Sequence, residues 1–346
     1  MTKIHRILPL TLPILSPLIA IALALGVGAI LILLAKANPI TAYTILIQES
    51  LTNYYGFGNM LTKTAPLLLS SLGVLLALKA GLFNIGAEGQ IYMGGLGSAL
   101  VGLFLPGIPG LIHVPLALFG GFLLGAIWGL IPGYLKAIRG VNEVITTLLL
   151  NYVALNFIGY LANNPLKEPG APSAYSSLIS ESARLPIIMP QTQAHAGIFI
   201  GLLATVILWV ILARSPLGYQ IEAVGLNPVA ARYAGMSVEG TIVAVMAIAG
   251  GLAGLAGAGE VMGLKYRLFD RFSPGYGFDA IAIALLSRGN IGGILLTSVF
   301  FAILRTGANV MQRSAGVPVT VVYAIQGLTV LFIAISFAIE RRINRL

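Results

Sequence analysis

Nine long apolar runs divide this chain, each close to the length that carries a helix across a bilayer. They lie at about Leu12–Ala35, Thr64–Ala80, Gly89–Leu105, Pro115–Leu135, Glu143–Ala162, Gly197–Ala213, Thr241–Leu264, Gly289–Ala308 and Thr320–Ile339. Lipid offers no partner for backbone amides, so runs of this kind are read as helices. Of 346 residues, 58% are hydrophobic and 9% charged, against about 25% charged in a soluble domain. Two soluble domains of this length have no cores large enough to hide that apolar surface. The expectation is one all-α, polytopic membrane domain over residues 1–346.

Topology follows from the basic residues. The net charge is +9, and the positive-inside rule assigns such an excess to cytoplasmic segments. Lys3 and Arg6 before the first run, and Arg341, Arg342 and Arg345 in "ERRINRL", put both ends in the cytoplasm. No small-residue cleavage site follows the first run, which reads as a retained anchor. Two cytoplasmic ends require an even number of crossings. The stretch "GFDAIAIALLSRG", Gly277 to Gly289, supplies a tenth as a tilted or partly broken crossing, with a re-entrant half-helix as the alternative. About ten transmembrane helices result, at least one of them short or broken. Residues 163–196 are expected to form an extracytoplasmic loop and residues 214–240 a cytoplasmic one. The Tyr-rich stretch from Asn38 to Lys63 is expected outside, with an interfacial helix as one reading.

Small residues mark how the helices pack. Gly121, Gly125, Gly129 and Gly133 recur every four residues and form a stripe on one helix face. Gly250 and Gly254 repeat the device, with Ala253 and Gly257 beside them. Such stripes let backbones approach closely, which drives association in lipid.

Three constellations carry chemistry. "KAGLFNIGAEGQ", Lys79 to Gln90, sits between two apolar runs. Gly81, Asn84 and Gly86 disfavour helix, so the chain is expected to break near Asn84–Gly86 and restart toward Gln90. Glu88 then falls in the first turn, where the helix dipole favours a carboxylate. Discontinuous helices of this kind build transporter sites, while a loop at the membrane surface is the plainer reading. Second, in "LGYQIEAVGLNPVAARYAGMS" Asn227 is a good N-cap, Pro228 suits the first helical position, and Gly235 suits a left-handed C-cap. A two-turn cytoplasmic helix, Pro228 to Ala234, is expected. Third, Asp279 near the start of the Gly277–Gly289 stretch reads as a cap, and Glu260 lies inside a Gly-rich span. Two separated acids do not make a proton relay.

Several chemistries have no sequence support. There is no Cys, and His5, His113 and His195 lie far apart, so neither disulfide nor metal site is expected. No dense basic run with interleaved aromatics points to nucleic acid. There is no G-x-x-x-x-G-K-[ST] loop, HExxH, GxSxG or compact acid pair. The chain is expected to be no enzyme and to need no cofactor.

The motifs resemble a family. "ALKAGLFNIGAEGQIYMGG", "GVNEVITTLLLNYVALNFIGYL", "GYQIEAVGLNPVAARYAGMS", "GGLAGLAGAGEVMG" and "GFDAIAIALLSRGN" match in type and order the permease subunits of bacterial ABC importers. The branch is that of branched-chain amino acid, ribose and nucleoside permeases. The nucleoside or simple-sugar type, which works with basic-membrane-lipoprotein binding proteins, is the most similar. The likeness runs from about Gly73 to the C-terminus. "LLSRGN" departs from it, since many relatives have Gly-Gly or Gly-Lys after the leucines, which bears on the role of Arg288.

The resemblance implies a multi-pass protein of the bacterial plasma membrane. Its implied partners are cytoplasmic ATP-binding subunits, a second permease that is a related chain or an identical copy, and an extracytoplasmic substrate-binding lipoprotein. It implies that Asn227, Pro228, Arg232, Tyr233 and Gly235 form the coupling helix that docks on the ATPase, with Arg232 and Tyr233 making contact. It places Asn84, Glu88 and Gln90 beside the translocation path. Nucleoside import by alternating access is the expectation. Tyr92, Asn151 and Tyr152 join the path residues because a nucleoside needs aromatic stacking and amide or carboxylate groups. The alternatives are a sugar permease, an ion-coupled secondary transporter or channel, and, least favoured, a membrane enzyme.

Overall fold

A computed structural model describes the backbone of residues 4–343 and the side chains of residues 18–336. Lys3, Arg6, Arg341, Arg342 and Arg345, on which the position of the two ends rests, have their side chains outside the described residues. The described residues are helical in the main, with only isolated bridges of extended type. All nine long apolar runs are helices. They are α1 (Ile4–Leu34), α3 (Tyr54–Lys79), α4 (Ala87–Phe104), α5 (Gly110–Arg139), α6 (Glu143–Asn163), α7 (Gly197–Arg214), α10 (Val238–Gly259), α12 (Ile291–Ala315) and α13 (Val319–Ile343). Between them lie α2 (Pro39–Leu51), α8 (Pro216–Leu226), α9 (Pro228–Tyr233) and α11 (Tyr276–Leu286).

Among the described residues, seven helices are long and apolar enough to cross a membrane alone, and eight if α1 and α2 are counted as one bent span. The 18-residue α4 has the length, but Glu88 and Gln90 in its first turns lower its apolarity. The stretch expected to give a tenth crossing yields α11, 11 residues long. At 1.5 Å per residue that is about half the hydrocarbon thickness. Asp279 does not cap this helix. Gly275, with φ +92°, holds the N-cap position, and Asp279 lies in the first turn. The stretch from Asn38 to Lys63 is helical over most of its length, because α3 begins ten residues earlier than the apolar run suggested.

The chain forms two compact units. The first comprises Met1–Met60 and Val299–Leu346. Here α1 turns through 117° into α2. Lys36 takes a left-handed conformation. Asn38 caps α2 by accepting from Ile40 N (2.9 Å) and Thr41 N (3.4 Å), and Pro39 occupies the first helical position. The core joins Ile32, Leu46, Leu304, Met311 and Val322.

The second unit comprises Leu61–Ser298 and is built around α4, α5 and α10. Their contacts are backbone on backbone. A methyl group added at Gly254 would overlap the Gly121 carbonyl oxygen and stand 3.0 Å from Gly125 Cα. One added at Gly129 would stand 3.1 Å from Gly250 Cα, and one at Gly250 would stand 3.0 Å from Gly129 Cα. Gly133 lies against Met246 Cβ. Gly94 of α4 closes the trio against Gly254. Helices this close gain dispersion contact along their whole length, the main attraction left once lipid removes the hydrophobic effect.

The segment between α6 and α7 is held down by specific pairs. Ser176 N donates to Leu268 O (2.9 Å), and Leu268 N donates to Ser176 Oγ (3.0 Å). Arg267 pairs with Glu168 at 2.8 Å and stacks over Tyr175. The segment ends at His195, whose ring lies against Gly263 and accepts from Gly197 N at Nδ1 (3.1 Å). Its Nε2 is buried and has no hydrogen-bond partner among the described residues. Below it α10 runs into a π-helical stretch, Glu260–Lys265, with Glu260 buried.

Two predictions follow from this packing. Gly254→Val should cut thermal stability in detergent by about 1–3 kcal/mol or more, as overpacking does. Gly327→Ala, where nothing lies within 4 Å of the added carbon, should be neutral or slightly stabilising. Comparing the two melting temperatures checks the claim. Burial pushes the His195 pKa down to about 4 from 6.5. Above pH 6.5 the ring is neutral in both folded and unfolded chains. Below it only the unfolded chain gains the proton, so stability should fall as pH drops from about 6.5 toward 4. The expected loss is on the order of 3 kcal/mol at the lower end. Melting temperatures at pH 7.5 and 5.0 should show the fall, and His195→Gln should flatten it.

Candidate functional site

The helical path is interrupted between Lys79 and Ala87, and the polar residues of that stretch close around the gap. Asn84 and Gln90 bond each other amide to amide. Asn84 Nδ2 donates to Gln90 Oε1 (3.0 Å), and Gln90 Nε2 donates back to Asn84 Oδ1 (3.3 Å). Asn84 Oδ1 also accepts from Gly86 N (2.9 Å). From α6, Asn151 donates to Ile85 O (2.9 Å) and accepts from Gly89 N (2.8 Å). Thr147 Oγ1, one turn earlier, accepts from Ile85 N (3.3 Å). Asn84, Gln90 and Asn151 are all buried. Each unpaired backbone group buried at such a break would cost several kcal/mol; Asn84, Thr147 and Asn151 supply the missing partners, and Gln90 holds the Asn84 amide in place.

Glu88 ties the restarted helix to α11. Its Oε2 accepts from Gly277 N (2.7 Å), and Gly277 sits so close to Glu88 that a side chain there would overlap the backbone. Tyr92, one turn on, packs its ring 4.7 Å from that of Phe272 and donates its hydroxyl to Ser273 O (3.4 Å). Both are buried. Thus five of the six residues assigned to the path from sequence come together, and their bonds go to the break's own backbone and its neighbours. Tyr152 does not join them. It follows Asn151 by 100° around α6 and is 62% exposed.

The second assembly is the tip formed by α8 and α9. Asn227 Oδ1 accepts from Val229 N (3.1 Å) and Ala230 N (3.0 Å), and Pro228 opens α9. The helix ends at Tyr233, one residue short of the expected end. Gly235 then takes φ +82°, a conformation that costs any other residue, and Met236 N returns to Ala231 O (3.0 Å). Val224, Ala231 and Val238 form a small core beneath. Arg232 is ion-paired with Glu239. Tyr233 is 90% exposed and Leu226 88%. Both side chains thus stand out from a capped, fixed tip.

The tip and the break touch. Gly225 of α8 lies on the Lys79–Gly81 backbone, so close that a side chain at Gly225 would overlap Lys79 O. Lys79 Nζ pairs with Glu222 at 2.7 Å. Reading from sequence missed Thr147, Gly277 and Gly225, which are ordinary residues until folding sets them against the break.

Residues 56–334 match a family described as the permease component of branched-chain amino acid transport systems. The chain belongs to this permease family. Among its relatives is a guanosine ABC transporter permease protein of Bacillus subtilis, 39% identical over 94% of each chain. A glucose ABC transporter permease protein of Haloferax volcanii is 36% identical over 97% of this chain and 91% of its own. A nucleoside ABC transporter permease protein of Lactococcus lactis is 36% identical over 95% and 93%. The protein is therefore a multi-pass plasma-membrane permease of an ABC importer, and ATP hydrolysis belongs to separate subunits. The family works with ATP-binding and substrate-binding partners.

Asn151→Leu in this permease would leave Ile85 O and Gly89 N unpaired in the interior. A stability loss of about 2–4 kcal/mol is expected, the cost of two buried unsatisfied groups. Tyr152→Leu, on the exposed side, should stay within about 0.5 kcal/mol. Thermal unfolding of the two variants in detergent decides it.

Proposed function

We propose that this permease carries nucleosides into the cell by alternating access. The observation that carries the reading is the 39% identity over 94% of both chains to a guanosine permease protein. A second reading, sugar import, is favoured by the similarly full-length glucose relative. In this proposal residues 214–240 lie in the cytoplasm and residues 163–196 face outward toward the substrate-binding lipoprotein. A second permease chain, related or identical, completes the passage.

Asn227, Pro228 and Gly235 shape the coupling helix, and Tyr233, Leu226 and Arg232 present its surface to the ATP-binding subunit. Movement of that subunit reaches the membrane through α8, because Gly225 rests on the backbone at the start of the broken segment. The break, stitched by Asn84, Gln90 and Asn151, then shifts α4 and α11 together through the Glu88–Gly277 bond. ATP drives the cycle only if it binds the two arrangements unequally.

Uptake of labelled guanosine and glucose in cells with and without this chain tests the cargo. Loss of the chain should lower guanosine uptake at least tenfold. Unchanged guanosine uptake with lost glucose uptake would replace the first reading by the second. In the same assay Tyr233→Asp should abolish uptake and co-purification of the ATP-binding subunit, while the isolated chain melts at its normal temperature.

A further inference from the structure

The helix α6 shows three faces. Thr147, Asn151, Ala154, Ile158 and Ala162 are buried. Ile145, Leu149, Val153 and Phe157 recur every four residues, are exposed, and form a stripe suited to lipid. Beside it runs a second exposed stripe, Tyr152, Asn156 and Tyr160, which continues into Asn163. Asparagine in contact with hydrocarbon is costly, so this stripe faces water or protein.

The stripe borders an open cleft of about 530 Å³ whose lining also includes Asp270 and Arg271. That volume lies within the range of small-molecule sites. The polar atoms converge in a defined way. Asn156 Nδ2 donates to Tyr152 O (2.7 Å) and Asn163 Nδ2 to Gly159 O (2.8 Å), which turns each amide oxygen away from the helix backbone. Gly159 makes room for the acid: a side-chain carbon there would stand 3.1 Å from Asp270 Oδ1. Arg271 is held at φ +52°, a strained conformation for a residue with a side chain, and such strain concentrates at functional sites. The cleft thus offers two tyrosine rings, amide and carboxylate acceptors, and one guanidinium donor.

We propose that this cleft is a solute subsite on the transport path, built for a molecule with a flat aromatic ring system joined to a hydroxylated ring, as in a nucleoside. The ring system stacks on Tyr152 or Tyr160, which every nucleobase can do because each has a π-face. Hydroxyls donate to the Asp270 carboxylate and the Asn156 oxygen, and Arg271 donates to ring carbonyls. The inference rests on the nucleoside reading above and says where that substrate stands.

The absence of cysteine in this chain gives a direct test. Asn156→Cys, Tyr160→Cys, Val153→Cys and Phe157→Cys are each made in the assembled importer in vesicles. A membrane-impermeant charged thiol reagent is added, and labelling of this chain is read on a gel. The Asn156→Cys and Tyr160→Cys variants should react at least tenfold faster than the two on the apolar stripe. In a further variant, Asn163→Cys, which borders the cleft and is given no contact with the solute, saturating guanosine should slow labelling at least threefold, and glucose should not. Equal rates on both stripes would overturn the proposal, since the polar stripe would then be sealed against protein or lipid. Lack of protection by guanosine in vesicles that do import it would overturn the subsite and leave the cargo reading standing. Protection by glucose alone, with no guanosine import, would sink the nucleoside class for cleft and cargo alike. As a second readout, Asp270→Asn should lower the guanosine uptake rate at least fivefold.

Discussion

A helical path can be interrupted in a buried place only where other groups replace the backbone hydrogen bonds that the interruption removes. That constraint governs the centre of this permease. Between Lys79 and Ala87 the chain leaves the helical path, and the partners come from Asn84, Thr147 and Asn151, with Gln90 bracing Asn84. Because the bonds cross from one helix to another, the break also fixes α4 against α6. Glu88 extends the same logic to α11, whose first turn it anchors at Gly277 N.

Around this centre α4, α5 and α10 meet through close backbone contacts. The glycines of α5 and α10 bring carbonyl oxygens of one helix against α-carbons of the other. Contacts of that kind have a short range, so they require α4, α5 and α10 to pack tightly along their shared faces. The α8–α9 tip bears on the backbone next to the break.

Much of this was legible in the chain itself. Apolar runs marked all nine long helices, since their length is set by lipid thickness. The caps of α9 were equally readable: Asn227, Pro228 and Gly235 act through local backbone geometry, which needs no tertiary partner. Asn151 and Tyr152 show where such reading stops. As neighbours in sequence they look like one amide–aromatic pair for a ligand. The 100° step of the helix sends one into the interior and the other outward. The polar stripe at 152, 156 and 160 was present as an i, i+4 pattern, but nothing in a sequence says which of three helix faces is left uncovered.

By itself, then, the sequence determined that this protein lives in lipid, where its helices run, where one of them breaks, and how its small capped helix is shaped. All of these depend on interactions within a few residues or with the solvent. Only the tertiary structure decided that the polar residues of the break bond to its own backbone, that Gly277 meets Glu88, and that Gly225 rests on the edge of the gap. The hydrogen bonds from Thr147, Asn151 and Glu88 join positions 62 to 189 residues apart. They arise from the backbone's need for partners in a medium that provides none, and which residue answers that need is set by packing.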